Sequence, residues 1–263
     1  MTNDTIEHPK FSDITDLINN LPDYPEYQAL ENNDDVMANL SHWLIHHSRI
    51  LDTSKGFDVN RCAMYWAGYE VVDGFDGKAF VDACQDSRGS LNRLAQMLDT
   101  DLQIFELDPS NHNAKTPDEI AMATSYGMMA VEESTQLFCA TSFGQGVEAT
   151  AQKALNAING FDDLESFMTK HCGLDHAAML GGAIASVMKG IPMIMEGTSG
   201  KFTKMLLERA SGKKFSNLIL TSDLNMSVVQ SLPGHRMTST AIMLKTLWSG
   251  SEKTDCGKVK EAA

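Results

Sequence analysis

The sequence predicts an α/β fold: a doubly wound, mainly parallel sheet of Rossmann-like type, preceded by a helical N-terminal extension. Three observations lead there. Apolar runs of strand length recur along the chain, as in Cys62–Ala67, Ile191–Met195 and Asn217–Thr221. Between them lie stretches with helical spacing of apolar residues, an alternation that indicates parallel strands joined by crossover helices. A glycine turn, Gly144 and Gly146, separates one such strand from the helix that follows it.

Residues 1–56 read as the helical extension. Ser12 and Asp13 are placed to cap a short helix, Pro22 and Pro25 break it, and Asp34–Leu51 is amphipathic. His42 and His46 stand four residues apart and could share a metal, but no carboxylate or thiol at a matching helical position completes a set, so no metal site is expected.

The α/β domain is assigned to residues 57–250. Strand Cys62–Ala67 meets a turn at Gly68 and Gly74, and Ala79–Cys84 and Ser90–Leu98 follow as helices. Asp101–Leu107 is a strand closing at Asp108-Pro109. Thr116-Pro117-Asp118-Glu119 supplies an N-cap, a first-turn proline and a capping-box glutamate, opening a helix that runs to about Glu133, with Met122, Tyr126 and Met129 among its apolar positions. Leu137–Cys139 is a short buried strand leading to the glycine turn, and a helix starts near Val147 or Glu148. Asp175–Met188 is a helix of small residues, Lys201–Ala210 a further helix, and Ser222–Gly234 a polar loop before a last helix through Met243 and Leu247. Residues 251–263 form a polar tail.

Composition narrows the function. A chain that is 43% hydrophobic and 21% charged has an ordinary globular balance. Its formal charge of −14 disfavours nonspecific binding to nucleic acid, which requires a basic surface. No run reaches transmembrane length, and the N-terminus lacks the apolar core of an export signal. The five cysteines, with no C-x-x-C pair, fit reduced thiols in the cytoplasm. A small-molecule ligand is therefore expected, with no nucleic acid and no membrane. No G-x-G-x-x-G follows a strand with an acidic residue some twenty positions on, which argues against a dinucleotide oxidoreductase.

In parallel α/β sheets ligands bind at the carboxyl ends of the strands. That places Gly68, Asp108, Ser142–Gly146, Glu196-Gly197 and Ser222 around one rim, with Asp223 beside Ser222. Gly144 and Gly146 either cradle a phosphate against the N-terminus of the next helix or make a steric turn. Ser142 either bonds that phosphate or caps the helix. Glu196 holds ribose hydroxyls, acts as a base, or faces water from a turn; Ser222 and Asp223 carry the same choice.

Read in order, several segments resemble the nicotinate-nucleotide:dimethylbenzimidazole phosphoribosyltransferase family, the CobT-like enzymes of cobalamin lower-ligand synthesis. Gly89–Leu107 is similar to that family's helix–strand unit. Ala140–Ala151 (ATSFGQGVEATA) is similar to its signature turn, written G-E-M-G-I-G-N-T-T, and Leu174–Gly197 to its small-residue helix and following strand. Leu218–Arg236 resembles its Ser-His and Glu-Pro-Gly-His segments.

The resemblance implies transfer of phosphoribose from nicotinate mononucleotide to a benzimidazole-type acceptor, without a cofactor. It also implies pairing of subunits, as a homodimer or with a paralogue. On that reading Ser142, Gly144, Gly146, Gly197, Ser222 and Asp223 bind substrate or phosphate, and Glu196 or Glu252 is a displaced base. Several positions depart from the family pattern. Ser142 stands where the family has glutamate, and Val147-Glu148-Ala149 replaces Asn-Thr-Thr. A later G-x-G-T-G loop and the C-terminal G-E-G-x-G with its proposed base have no counterpart. The alternative is a noncatalytic nucleotide-binding relative, or a structural partner subunit of an active paralogue.

Overall fold

The structure is a computed structural model that describes residues 8–24, 40, 43, 60–66, 71–72, 75–97, 99–107, 115–144 and 146–224. Along the chain run α1 (Phe11–Asn19), β1 (Asn60–Trp66), a small antiparallel pair β2 (Val71–Val72) and β3 (Phe75–Asp76), α2 (Gly77–Gln85), α3 (Ser90–Met97) and β4 (Thr100–Glu106). They are followed by α4 (Pro117–Met129), β5 (Leu137–Phe143), α5 (Val147–Ala157), α6 (Leu164–His171), α7 (Leu174–Lys189), β6 (Met193–Met195), α8 (Gly197–Ser211) and β7 (Leu218–Leu220). A 3-10 turn, Thr221–Leu224, closes the described region.

The main sheet has five strands in the order β4-β1-β5-β6-β7, all parallel. The predicted doubly wound α/β class is what the structure shows. Counted along the chain the order is the 2-1-3-4-5 variant, in which the winding reverses between the first strand and the third. Here that switch point lies between β1 and β5.

The central position of β5 explains its composition. Each of its 7 residues is buried, as a parallel strand covered on both faces requires. Phe138 and Ala140 join the larger core formed with α1 and α4–α8, while Leu137, Cys139 and Phe143 join a second core with Val81, Cys84 and Leu91 of α2 and α3. On the edge, β4 exposes Asp101 and Glu106, charges that discourage pairing with another chain.

Helices α4 and α7 cross at unusually close range, and glycine permits it. A Cβ on Gly127 would lie 1.8 Å from the Ala178 carbonyl oxygen, and one on Gly181 would lie 1.8 Å from that of Thr124. The small-residue character of Asp175–Met188 is thus a packing requirement.

Several boundaries differ from the expected ones. Helix α1 starts at Lys10, whose N–H donates to Asp13 Oδ2 at 2.8 Å, so Asp13 serves as the reach-back residue of the cap and not as its first member. Helix α4 opens as expected, with the Thr116 and Glu119 exchange in place, but ends at Met129. Val131 turns into the core, and Glu132 leaves the helix to pair with Arg61 at 2.8 Å. Met122, Tyr126 and Met129 are exposed, because α4 buries Ile120, Ala121, Ala123, Thr124 and Gly127 and packs chiefly on α7 and α1. Strand β5 extends to Phe143, since β1 and β6 flank it with backbone partners.

Helix α6 was not anticipated; Asp163 caps it by accepting from the Ser166 N–H at 2.7 Å. Helix α8 begins at Gly197, earlier than expected. Of the predicted helix Asp34–Leu51 only Leu40 and Trp43 fall among the described residues; both are helical and buried, and Trp43 Nε1–H donates to the Ser216 carbonyl at 2.9 Å. His42, His46, the loop beyond Leu224, the last helix and the tail lie outside the described residues. Among the described residues no helix is long and apolar enough to cross a membrane.

Candidate functional site

The rim at the carboxyl ends of β5, β6 and β7 begins with Ser142. In the sheet register Ser142 stands beside Tyr65 of β1, so it lies at the switch point itself. It continues the Phe138 and Ala140 face of β5, toward α7. Its hydroxyl donates to Asp175 Oδ2 in the first turn of α7, and both side chains are buried, at 7% and 3% exposure. Ser142 therefore does not cap α5, one of the two roles open to it from the sequence.

The cap position of α5 is Gly146, left-handed at φ 72° and offering no side chain; Gly144 sits at φ 130°. Both values favour glycine. Among the described residues, a Cβ at Gly146 would meet nothing within 4 Å. The amino end of α5 thus faces the rim with its partial positive charge.

At the next strand end Glu196 is the N-cap residue of α8, and it is buried at 8% exposure. Its N–H donates to the Ala140 carbonyl at 3.1 Å, and its carbonyl accepts from Gly200 at 3.3 Å. Glu196 extends the Ile194 face of β6, the face of Cys139. The Cys139 thiol is held well above its ordinary range by its hydrogen bond to Cys62, then by burial and the charge of Glu196. Ser142 and Glu196 consequently serve opposite faces of one sheet end.

Gly197, at φ 77°, follows; a Cβ there would sit 2.9 Å from Glu148 Oε1, which brings the first turn of α5 against the start of α8. Ser222 and Asp223 lie exposed on the 3-10 turn after β7, one strand further out. Gly68, Asp108 and Glu252 lie outside the described residues. Among the described residues no group of three His, Cys, Asp or Glu side chains could hold a metal.

Three residues of this rim escaped sequence reasoning: Asp175, His176 and Ser199. Gly173 N–H donates to His176 Nδ1 at 3.2 Å, which leaves the Nε2–H to donate to Ser199 Oγ, also at 3.2 Å. Asp175 Oδ1 lies 3.6 Å from His176 Nδ1, and the negative charge of Asp175 adds to burial in raising the Cys172 thiol. The signal was present in Leu174-Asp175-His176: two polar residues opening an otherwise apolar helix, where a buried carboxylate needs a specific partner.

No protein-family model matches the sequence, and no curated protein sequence does. Solved structures do match. A nicotinate-nucleotide-dimethylbenzimidazole phosphoribosyltransferase from Thermus thermophilus superposes with a TM-score of 0.60 at 12% identity, over 92% of this chain and 94% of that one. A structure of CobT from the same organism gives 0.59 at 11% identity, over 92% and 95%. The fold is theirs. At such identity the likeness is one of fold alone, over nearly the whole chain.

Proposed function

We propose that the rim binds a nucleotide by its phosphate and that the protein transfers phosphoribose from nicotinate mononucleotide to a benzimidazole-type or phenolic acceptor. The observation that carries this reading is the position of the glycine turn. Gly144 and Gly146 lie at the β1–β5 switch point and lead into the amino end of α5, in a fold shared with enzymes named for that activity. Gly197, Ser222 and Asp223 extend the rim toward the ribose, and Glu196 supplies a buried carboxylate for its hydroxyls or for proton removal. Glu252 remains the second candidate base.

Serine at position 142, where the resembled family has glutamate, favours a second reading: a noncatalytic nucleotide-binding relative or the structural partner of an active paralogue. One experiment separates the two. The full chain is incubated with nicotinate mononucleotide and a panel of benzimidazoles and phenols, and products are read by mass spectrometry. An α-ribosyl phosphate product supports transfer, and its loss in Glu196→Gln or Glu252→Gln assigns the carboxylate. A nucleotide-induced rise in melting temperature without product supports the binding protein; saturation at one hundred times Kd stabilises by about 2.7 kcal/mol. Neither product nor shift contradicts both.

A further inference from the structure

Behind Ser142 the structure sets a buried carboxylate, that of Asp175. The Ser142 hydroxyl gives its one proton to Asp175 Oδ2, so only oxygen lone pairs are left for a group bound at the end of β5. Such an oxygen accepts from N–H or O–H donors and has nothing to offer an acceptor. Both partners are fixed. Ser142 belongs to a strand buried along its whole length, and Asp175 sits in the first turn of a 16-residue helix, where the helix dipole favours negative charge.

We propose that the Ser142–Asp175 pair is the proton acceptor of the transfer reaction. This rests on the phosphoribosyltransferase reading above. In the step, the acceptor's ring nitrogen bonds to C1′ of the ribose. The C1′–N bond to nicotinate breaks, and its electron pair leaves on the pyridine nitrogen. The acceptor's N–H proton passes to Ser142 Oγ while the serine's own proton passes to Asp175 Oδ2. Ser142 touches the substrate; Asp175 acts through it as a positioning residue. Glu196, on the other face of the sheet, then serves the ribose.

The test compares benzimidazole with 1-methylbenzimidazole, which can attack C1′ through its bare nitrogen but has no proton to lose. Wild type, Ser142→Ala, Asp175→Asn and the double variant are assayed with nicotinate mononucleotide. Each single variant is expected to slow benzimidazole transfer by about 10²–10⁴-fold, the usual range for a lost acid–base group. Transfer to 1-methylbenzimidazole should be slowed at least about tenfold less than transfer to benzimidazole, and the double variant should be no slower than either single one, because the pair acts as a unit. In wild type alone, a solvent deuterium isotope effect should accompany benzimidazole transfer and be absent with the N-methyl compound, a readout that does not depend on the variants folding.

Equal losses with both acceptors, unchanged rates, or identical isotope effects overturn the proposal while leaving phosphoribosyl transfer in place. No product from wild type also overturns it; the underlying nucleotide reading survives that result if nicotinate mononucleotide still raises the melting temperature, and falls with it if not.

Discussion

Gly197 makes room for Glu148: a side chain at position 197 would place its first carbon 2.9 Å from the Glu148 carboxylate. The contact joins the amino ends of α5 and α8, the two helices that start on either side of the β5–β6 strand ends, and it depends on a backbone turn of φ 77°. Gly197→Ala should destabilise the protein by about 1–2 kcal/mol through left-handed strain, since the tip of Glu148 can swing aside. Urea unfolding of the two proteins, with unchanged slope and a lower midpoint for the variant, checks this.

The α4–α7 crossing should be far less forgiving. At Gly181 the obstacle is the Thr124 carbonyl, backbone that cannot rotate away. Gly181→Ala is expected to cost about 3 kcal/mol, the upper part of the range for overpacked cores, because the helices must separate. Calorimetry should show a clearly lowered melting temperature; a change of under one degree would mean that the helices are not in this contact.

How much of this was legible in the sequence depends on what each residue answers to. Strands β5, β6 and β7 were readable because a parallel strand buried on both faces is apolar throughout. Thr116 and Glu119 were readable because a capping box is local. The start of α8 was not, since Glu196-Gly197 reads as a turn and Gly197 does take a left-handed turn, one that leads directly into the helix. Met122, Tyr126 and Met129 are apolar positions of α4 and yet exposed, because the close approach of α7 selects Ala123, Thr124 and Gly127 for burial. Ser142 and Asp175 pair across 33 positions of sequence, a distance over which no periodicity speaks. The rim was therefore located from strand ends, but its buried carboxylate was assigned only from tertiary contact.

Acid should weaken the cap of α6. The Asp163 carboxyl lies below its ordinary range because it accepts from the Ser166 N–H and hydroxyl. A carboxyl depressed by folding stabilises above its unfolded value, and that contribution is lost as pH falls through the folded value. Asp163→Asn should therefore lower the urea midpoint at pH 7, and the difference from wild type should shrink toward pH 3. A gap that is constant across that range would contradict the charged cap.

Thiol chemistry offers a separate check on the core. Cys62, Cys84, Cys139 and Cys172 are buried, and burial lifts the Cys84 thiol to about 11. Thiolate is the reactive form, so these four should resist an aromatic disulfide reagent at pH 8 and react only in denaturant. Rapid native reaction of Cys139 or Cys172, located by peptide mass mapping, would contradict the packing described.

Whether Gly144 and Gly146 cradle a phosphate is decided most directly by the affinity of the full chain for nicotinate mononucleotide and for nicotinate riboside, which lacks the phosphate. Titration calorimetry of both ligands is the measurement. The expected result is binding of the nucleotide at least about 100-fold tighter than the riboside, or roughly 2.7 kcal/mol, from charge-assisted bonds to the amino end of α5. Equal affinity for the two, or no binding of either, would contradict it.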